Sequence, residues 1–284
     1  LELYYNDMAV ALIDMEFLLN GAPKLELDAV WTRKEDNDVE IPRYDDYNSI
    51  MVDMISRLNI ASKEEWVRHY DHEVQGRSAQ KPFTGKHNDG PSDAAVLRIS
   101  PFTKKAIVAS HGIKPTFSDI DAYWMTVSVI DEAVRNAVAV GADPDFMSGL
   151  DNFCWPDPVY DEEKNPDGKD KMAQLVRSNM ALYDFCKSYK IPLISGKDSM
   201  KNDYGSGKNK ISVPPTLLFT LISRIDDVET MVTMDFKREG DIVYLLGITD
   251  DELGGSEYYH YHGVNKKGFV PKADAERNMK NYRA

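Results

Sequence analysis

The stretch Ile191–Asp203 reads IPLISGKDSMKND and joins a short apolar run to a dense polar segment. The run Ile191–Ile194 predicts a buried strand, because short apolar runs bounded by turn residues are typical of strands in a covered sheet. The polar part, from Ser195 onward, predicts a loop at the end of that strand. Proteins of the α/β type often carry their binding groups on such loops. The stretch therefore indicates a sheet with a functional edge.

The polar segment carries groups that suit a phosphate-bearing ligand. Gly196 allows close approach of the backbone, Lys197 can neutralise phosphate charge, and Ser199 can donate to an oxygen. The segment lacks the G-x-x-x-x-G-K-[ST] spacing of a P-loop. By themselves these residues indicate phosphate binding and no particular ligand.

Composition limits the classes of function. The 284 residues, 42% of them hydrophobic, suffice for one large or two moderate domains. A formal charge of −13 argues against partners such as nucleic acid or an anionic membrane, which require clustered Lys and Arg. No apolar run of about 18 residues and no signal peptide is present. We expect a cytoplasmic protein in which Cys154 and Cys186 are reduced, and the start at Leu1 suggests a piece of a longer chain.

Apolar periodicity predicts a central body of mixed strands and helices. The predicted helices are 47–58, a long helix capped by Ser118 or Asp119 that ends near Gly141, and Lys169–Tyr189; the predicted strands are Ala94–Ile99, Ala106–Ser110, Asp145–Leu150 and Leu217–Ile225. The residues predicted to face inward on the third helix are Met172, Leu175, Val176, Met180 and Tyr183. Before this body, residues 31–46 are charged and irregular and predict an exposed linker, and Gly205–Gly207 predicts a flexible turn.

Oxygen-bearing side chains form a candidate metal set. Glu132 and Asn136 are four residues apart, so they share one face of a helix, and their oxygens suit magnesium. Asp93 precedes a predicted strand and could complete the set. The alternative is a solvated helix face like that of Asp131 and Arg135, which form an ordinary surface pair at the same spacing.

Asp151 is a further candidate, at the predicted end of a strand. It could hold a ligand, or it could cap the turn that follows it. Cys154 has no histidine close by in the sequence, so a thiolate nucleophile is not expected. None of the histidines has a sequence context that indicates a general base or a zinc site.

Four separated motifs together resemble a known family. They are Asp131–Asn136 (DEAVRN), Asp151–Pro156 (DNFCWP), Gly196–Met200 (GKDSM) and Leu253–Tyr259 (LGGSEYY). In this order they are similar to the synthetase subunit of phosphoribosylformylglycinamidine synthase, whose superfamily includes aminoimidazole ribonucleotide synthetase.

This resemblance implies two tandem copies of an A and a B domain. Residues 1–30 would then end a preceding B domain, 31–60 would be the linker, 61–225 the second A domain and 226–284 the start of the second B domain. The implied fold class is α+β, an α/β-type sandwich whose mixed sheet has helices on one face. The other face is expected to pair with the first A domain in a barrel-like arrangement.

The resemblance also implies roles for individual residues. Asp151 and Gly196 would lie near ATP and Ser199 near the ribonucleotide substrate. Lys197 replaces an asparagine that binds magnesium in smaller members, and since a cation cannot be a metal ligand, a phosphate role is expected. Asp93, Glu132 and Asn136 resemble the magnesium ligands of an auxiliary site for ATP or structural ADP.

The implied reaction is ATP-dependent conversion of formylglycinamide ribonucleotide to the amidine, with ammonia supplied by a glutaminase domain or subunit. The family's catalytic histidine belongs to the first A domain, so we expect this chain to be inactive alone. Its uncovered sheet face could also cause self-association. Alternatives are another ATP-dependent synthetase or small-molecule kinase of the superfamily, or a scaffold that binds nucleotide only to brace the fold.

Overall fold

The computed structural model describes residues 1–32, 39–69, 72–205 and 209–284. Residues 33–38 of the predicted linker and 206–207 of the predicted glycine turn lie outside these ranges. Within them, no helix combines the length and the apolar character needed to cross a membrane.

A six-stranded sheet organises the chain. Twelve strands are described: β1 (Glu2–Tyr5), β2 (Met8–Leu12), β3 (Ser78–Gln80), β4 (Phe83–Thr84), β5 (Gly90–Pro91), β6 (Ala95–Arg98), β7 (Ala106–Ile113), β8 (Ser148–Cys154), β9 (Leu193–Ser199), β10 (Asp203–Tyr204), β11 (Ile211–Ser212) and β12 (Thr216–Ile225). The main sheet has the order β3-β6-β7-β12-β8-β9. Only the β8–β9 pair in this sheet is parallel. The sheet is therefore mixed, as predicted.

Helices cover one face of this sheet. The described α-helices are α1 (Met15–Asn20), α2 (Asn48–Ser56), α3 (Glu64–Arg68), α4 (Pro115–Ser118), α5 (Ala122–Ala139), α6 (Gly168–Tyr189), α7 (Glu257–Tyr261) and α8 (Ala275–Tyr282). Helix α5 packs on β7 and β12, and α6 packs on α5. The predicted α+β class with helices on one face of the sheet is confirmed.

Alternation along the central strand β12 separates the two faces. Leu217, Phe219 and Leu221 are buried and belong to the core together with α5 and α6. Side chains at the intervening positions point to the opposite face. On the neighbouring strand β7, Ile107 and Ile113 lie on that opposite face and are 44% exposed. This uncovered side of the sheet is called the open face below.

The strands that carry the candidate residues extend further than predicted. β8 runs through Asp151 to Cys154, and β9 continues from Leu193 to Ser199, so Gly196 and Lys197 lie within a strand and not in a loop. The prediction of a buried strand was wrong, because β9 is an edge strand and its residues through Asp198 are exposed. Pairing with β8 supplies hydrogen bonds that keep the polar segment extended.

Two details of the long helices also differ from prediction. Asp121, not Ser118 or Asp119, caps α5 by accepting from the Tyr123 N–H. On α6, three of the residues predicted to face inward are exposed: Val176, Met180 and Tyr183. The buried side of α6 instead combines small or polar residues, such as Ala173 and Ser178, with the larger Leu182, Phe185 and Tyr189. Ser178 is hydrogen-bonded to Thr126 of α5 in this contact.

The segment near the end of the chain packs against α5 and α6. Val270 and Met279 belong to the same core cluster as the sheet. The predicted pair of Asp131 and Arg135 is present, with Arg135 Nη2 3.8 Å from Asp131 Oδ2, but the Asp131 side chain is buried and not on the surface. Asp131 Oδ1 accepts hydrogen bonds from Tyr189 Oη (2.6 Å), Tyr282 Oη (2.8 Å) and Asn278 Nδ2 (2.9 Å). This carboxylate therefore joins α5, α6 and α8. The domain division at residue 226 stays a prediction.

We predict that Asp131→Ala lowers the free energy of unfolding by about 3 kcal/mol, because it leaves three polar groups without their acceptor. Urea denaturation measures this loss, and hydrogen exchange of residues 275–282 should accelerate with it. Tyr282→Phe, which removes one donor, should cost about 1 kcal/mol. Unchanged exchange of residues 275–282 in Asp131→Ala would contradict this role of Asp131.

Candidate functional site

The parallel pair of β8 and β9 brings distant motifs together. In its register Asp151 lies opposite Gly196, Asn152 opposite Lys197, and Cys154 opposite Ser199. The DNFCW and GKDS segments, more than 40 positions apart in the sequence, are therefore adjacent strands. The predicted cofactor and substrate residues line one edge of the sheet.

Gly196 makes room for the Asp151 carboxylate. A Cβ on Gly196 would lie 2.7 Å from Asp151 Oδ1, so a side chain at this position would displace the Asp151 carboxylate. The sequence suggested that this glycine opens the backbone to a ligand, whereas in the structure the space beside it holds the carboxylate. Gly196 thus acts through Asp151, and direct contact with a nucleotide stays a prediction.

Asp151 lies on the helix-covered side of the sheet, since it pairs with the buried Phe219. Partial burial raises the pKa of Asp151 and outweighs the opposing hydrogen bond from its own backbone N–H, and the negative charge of Asp198 raises the pKa further. Burial and the Asp198 charge disfavour the charged carboxylate, so a cation bound beside Asp151 would relieve an unfavourable charge. This electrostatic setting suits a metal-bound phosphate group.

Lys197 points away from Asp151. Adjacent strand residues face opposite sides of a sheet, and the pairing of Lys197 with Asn152 places it on the open face, where it is exposed. Lys197 Nζ makes no hydrogen bond or ion pair with other residues in the described part of the chain. Its charge is available to a ligand that approaches from the open face.

Ser199 is held in a network that the sequence reasoning missed. Its Oγ donates to Asn202 Oδ1 (3.0 Å), and Asn202 Nδ2 donates to Trp155 O (3.1 Å) and Ser199 O (2.7 Å). The Trp155 N–H donates to Ser199 O at 2.8 Å. An asparagine three residues after a strand-end serine was the signal available in the sequence, since such side chains often bond nearby backbone.

A second group lies where α5 meets the end of β7. Glu132 Oε2 accepts from the Ile113 N–H (3.1 Å), and Asn136 Nδ2 donates to His111 O (3.1 Å). Gly112 permits this contact, because a Cβ there would lie 2.1 Å from the Val129 carbonyl oxygen of α5. Glu132 and Asn136 therefore share the helix face that was predicted, and this face packs against a strand instead of facing solvent.

Asp93 precedes β6 in a bend and is half-buried. Since β6 runs antiparallel to β7, the start of β6 and the end of β7 lie at the same end of these two strands. Among the described residues, no three His, Cys, Asp or Glu side chains converge as a metal cluster. Magnesium commonly takes only one or two protein ligands, and the second carboxylate oxygen of Glu132 and the Asn136 Oδ1 are chemically suited to it.

Burial raises the pKa of Glu132, and the hydrogen bond from the Ile113 N–H only partly offsets this. A carboxyl whose folded-state pKa is raised contributes stability below its unfolded pKa and loses it as the pH rises through the folded value. Glu132 therefore opposes folding slightly at neutral pH unless a cation compensates its charge.

We predict that Glu132→Gln, without divalent cations, is at least as stable as the parent protein at pH 7 and gains relative to it between pH 4 and pH 7. The gain should stay below about 1 kcal/mol, because the side chain is still partly exposed. Urea denaturation at both pH values measures it, with the exposed Glu162→Gln as the matched control. A variant that loses stability relative to the parent as the pH rises would contradict this assignment.

Sequence comparisons relate the chain to known proteins. Residues 91–214 match the AIR synthase related protein, N-terminal domain. The chain is 33% identical over 270 residues to the phosphoribosylformylglycinamidine synthase subunit PurL of Thermoplasma volcanium, which covers 94% of this chain and 33% of that protein. It is 33% identical over 251 residues to PurL of Methanocaldococcus jannaschii, covering 88% and 32%. The chain thus spans about a third of the length of these relatives.

Solved structures share the fold. PurLQS from Thermotoga maritima aligns with a TM-score of 0.52 at 20% identity, covering 82% of this chain and 33% of that chain. T. maritima PurL complexed with ADP aligns with a TM-score of 0.51 at 22% identity over 82% of this chain and 32% of that chain. T. maritima PurL complexed with FGAR gives a TM-score of 0.51. At these identities the likeness concerns the fold.

Proposed function

Because this chain belongs to the family of PurL subunits of phosphoribosylformylglycinamidine synthase, we propose that it forms part of an ATP-dependent amidoligase. The reaction converts formylglycinamide ribonucleotide and ammonia to formylglycinamidine ribonucleotide, a step of purine biosynthesis. ATP phosphorylates the amide oxygen of the substrate, and ammonia then displaces phosphate at the same carbon.

One observation carries the proposal. The apposition of Asp151 and Gly196 on parallel strands, with Ser199 three residues further along β9, assembles the predicted ATP and ribonucleotide residues at one sheet edge. Relatives of the same fold have been solved with ADP, ATP and FGAR.

The residues at this edge have different proposed roles, which follow from their positions. Asp151 supplies a partly buried carboxylate toward the metal-bound phosphates, and Lys197 supplies a positive charge from the open face. Ser199, at the end of β9, contacts the ribonucleotide. Magnesium, when bound, neutralises phosphate charge and draws the phosphate oxygens into position. No described residue is assigned as the catalytic base, and we propose that the first A domain provides a histidine for that role.

Glu132 and Asn136, with Asp93, form the proposed auxiliary nucleotide site. Their oxygens would hold the magnesium ion of ATP or of a structural ADP. The proposed partners are a first A domain that covers the open face and a glutaminase domain or subunit that releases ammonia.

We predict that the protein binds ADP in the presence of magnesium and that Glu132→Ala weakens this binding by about tenfold or more, as loss of a metal ligand commonly does. Isothermal titration calorimetry measures the affinity, with Glu162→Ala, an exposed carboxylate of the loop before α6, as the control. Equal affinity of Glu132→Ala and the parent would contradict the auxiliary site.

Turnover separates a bracing role of this nucleotide from a catalytic one. In the complete synthetase, Glu132→Ala with normal amidine formation would assign bracing to the auxiliary site. Asp151→Asn should reduce amidine formation in the same assay, and unchanged turnover of Asp151→Asn would contradict the proposed ATP site.

We also predict self-association through the open face when no first A domain covers it. Sedimentation velocity should show dimers at high concentration that Ile113→Lys abolishes, since the charge would be buried in the contact. Met180→Lys places the same charge on the exposed side of α6 and should leave the dimer intact. A parent protein that stays monomeric would refute the prediction.

A further inference from the structure

The turn that follows β9 is held by a single asparagine. Every polar group of Asn202 is engaged: its N–H donates to Trp155 O (3.0 Å), and its carbonyl accepts from the Val213 N–H (3.2 Å). Its side chain bonds Ser199 and Trp155 as described above. Lys201, immediately before it, has a φ of 59°, which is unfavourable for a residue with a side chain. Asn202 therefore stabilises a strained turn at the ligand edge of the sheet.

The neighbours of Asn202 determine which way its amide group is oriented. Its nitrogen faces two backbone carbonyls, of Trp155 and Ser199, which can only accept hydrogen bonds. The amide oxygen must then face Ser199 Oγ, and since an amide oxygen only accepts, the serine hydroxyl has to donate.

This orientation determines what Ser199 can offer to a ligand. A hydroxyl carries one proton, and that of Ser199 is used on Asn202. Only the lone pairs of Ser199 Oγ remain, so the ligand group that it binds must be a donor. The initial expectation that Ser199 donates to a phosphate oxygen does not fit this geometry.

We infer that Asn202 is a positioning residue that turns Ser199 into a hydrogen-bond acceptor for a hydroxyl or N–H group of the ribonucleotide substrate. The inference rests on the proposed function and deepens it, because it names the kind of substrate group that Ser199 recognises. Trp155, which is fully buried and donates through Nε1 to Lys171 O, anchors the other side of the network.

The test uses the complete synthetase that contains this chain. Ser199→Ala and Asn202→Ala should each raise the KM for formylglycinamide ribonucleotide by about tenfold, the value of one hydrogen bond, with the KM for ATP unchanged. The KM of the double variant should not exceed the higher of the two single-variant KM values, because Asn202 acts through Ser199. Asn179→Ala, an exposed asparagine of α6, is the control.

Substrate analogues identify the donor. Analogues that lack the 2′-hydroxyl, lack the 3′-hydroxyl or carry a methyl on the glycinamide nitrogen are compared in the parent and in Ser199→Ala. For the parent, one analogue should have a KM about tenfold higher than that of formylglycinamide ribonucleotide. For Ser199→Ala, the same analogue and formylglycinamide ribonucleotide should have equal KM values. This comparison does not depend on Asn202→Ala folding correctly.

Two results would overturn the inference. One is that every one of the three analogues raises the KM of Ser199→Ala by the same factor as it raises the KM of the parent. The other is a folded Asn202→Ala variant with an unchanged KM for the ribonucleotide. A parent enzyme whose rate does not depend on the ribonucleotide would instead refute the proposed function. The assay of the parent enzyme, before any variant is made, shows this outcome.

Discussion

The pairing of β12 with both β7 and β8 is the constraint on which the structure depends. β12 is antiparallel to each neighbour, and its register places Phe219 between Gly112 and Asp151. Pairing of β8 with β9 extends the same row to Gly196. One end of this row, Gly112, adjoins the Glu132 and Asn136 group, and the other end holds Asp151 and Gly196. Neighbouring strands are about 4.8 Å apart, so the row fixes the distance between the two candidate sites. A shift of one residue in β12 would exchange its buried and open faces and separate these groups.

Two glycines in this row serve close packing. Gly112 lets α5 approach β7, so that Glu132 and Asn136 reach its backbone. Gly196 leaves the space in which the Asp151 carboxylate lies. In both cases a missing side chain on a strand positions an acidic or amide group on a neighbouring element. The acidic side chains are partly buried as a result, and their raised pKa values follow from that burial.

Much of the architecture could be predicted from local patterns. The periodicity of α5 and α6 and the apolar runs of β7 and β12 predicted these helices and strands, because such patterns reflect burial. The fold class was implied by the resemblance of the four motifs. The prediction failed for the inner side of α6, because the sequence shows that an apolar stripe exists without showing which neighbour covers it. Val176 and Met180 form such a stripe and lie exposed. The polar end of β9 resembled a loop because hydrogen bonding to β8 is not visible in the sequence.

By itself, the sequence determined which chemical groups are present: the carboxylates, the lysine and the hydroxyl of the four motifs, and the resemblance that unites them. Only the tertiary structure decided how they face one another. It placed Lys197 and Asp151 on opposite sides of one sheet, buried Asp131 among three donors, and made Asn202 the partner of Ser199. The physical reason is that strand register and amide orientation are set by hydrogen bonds between residues far apart in the chain, which spacing along the sequence does not encode.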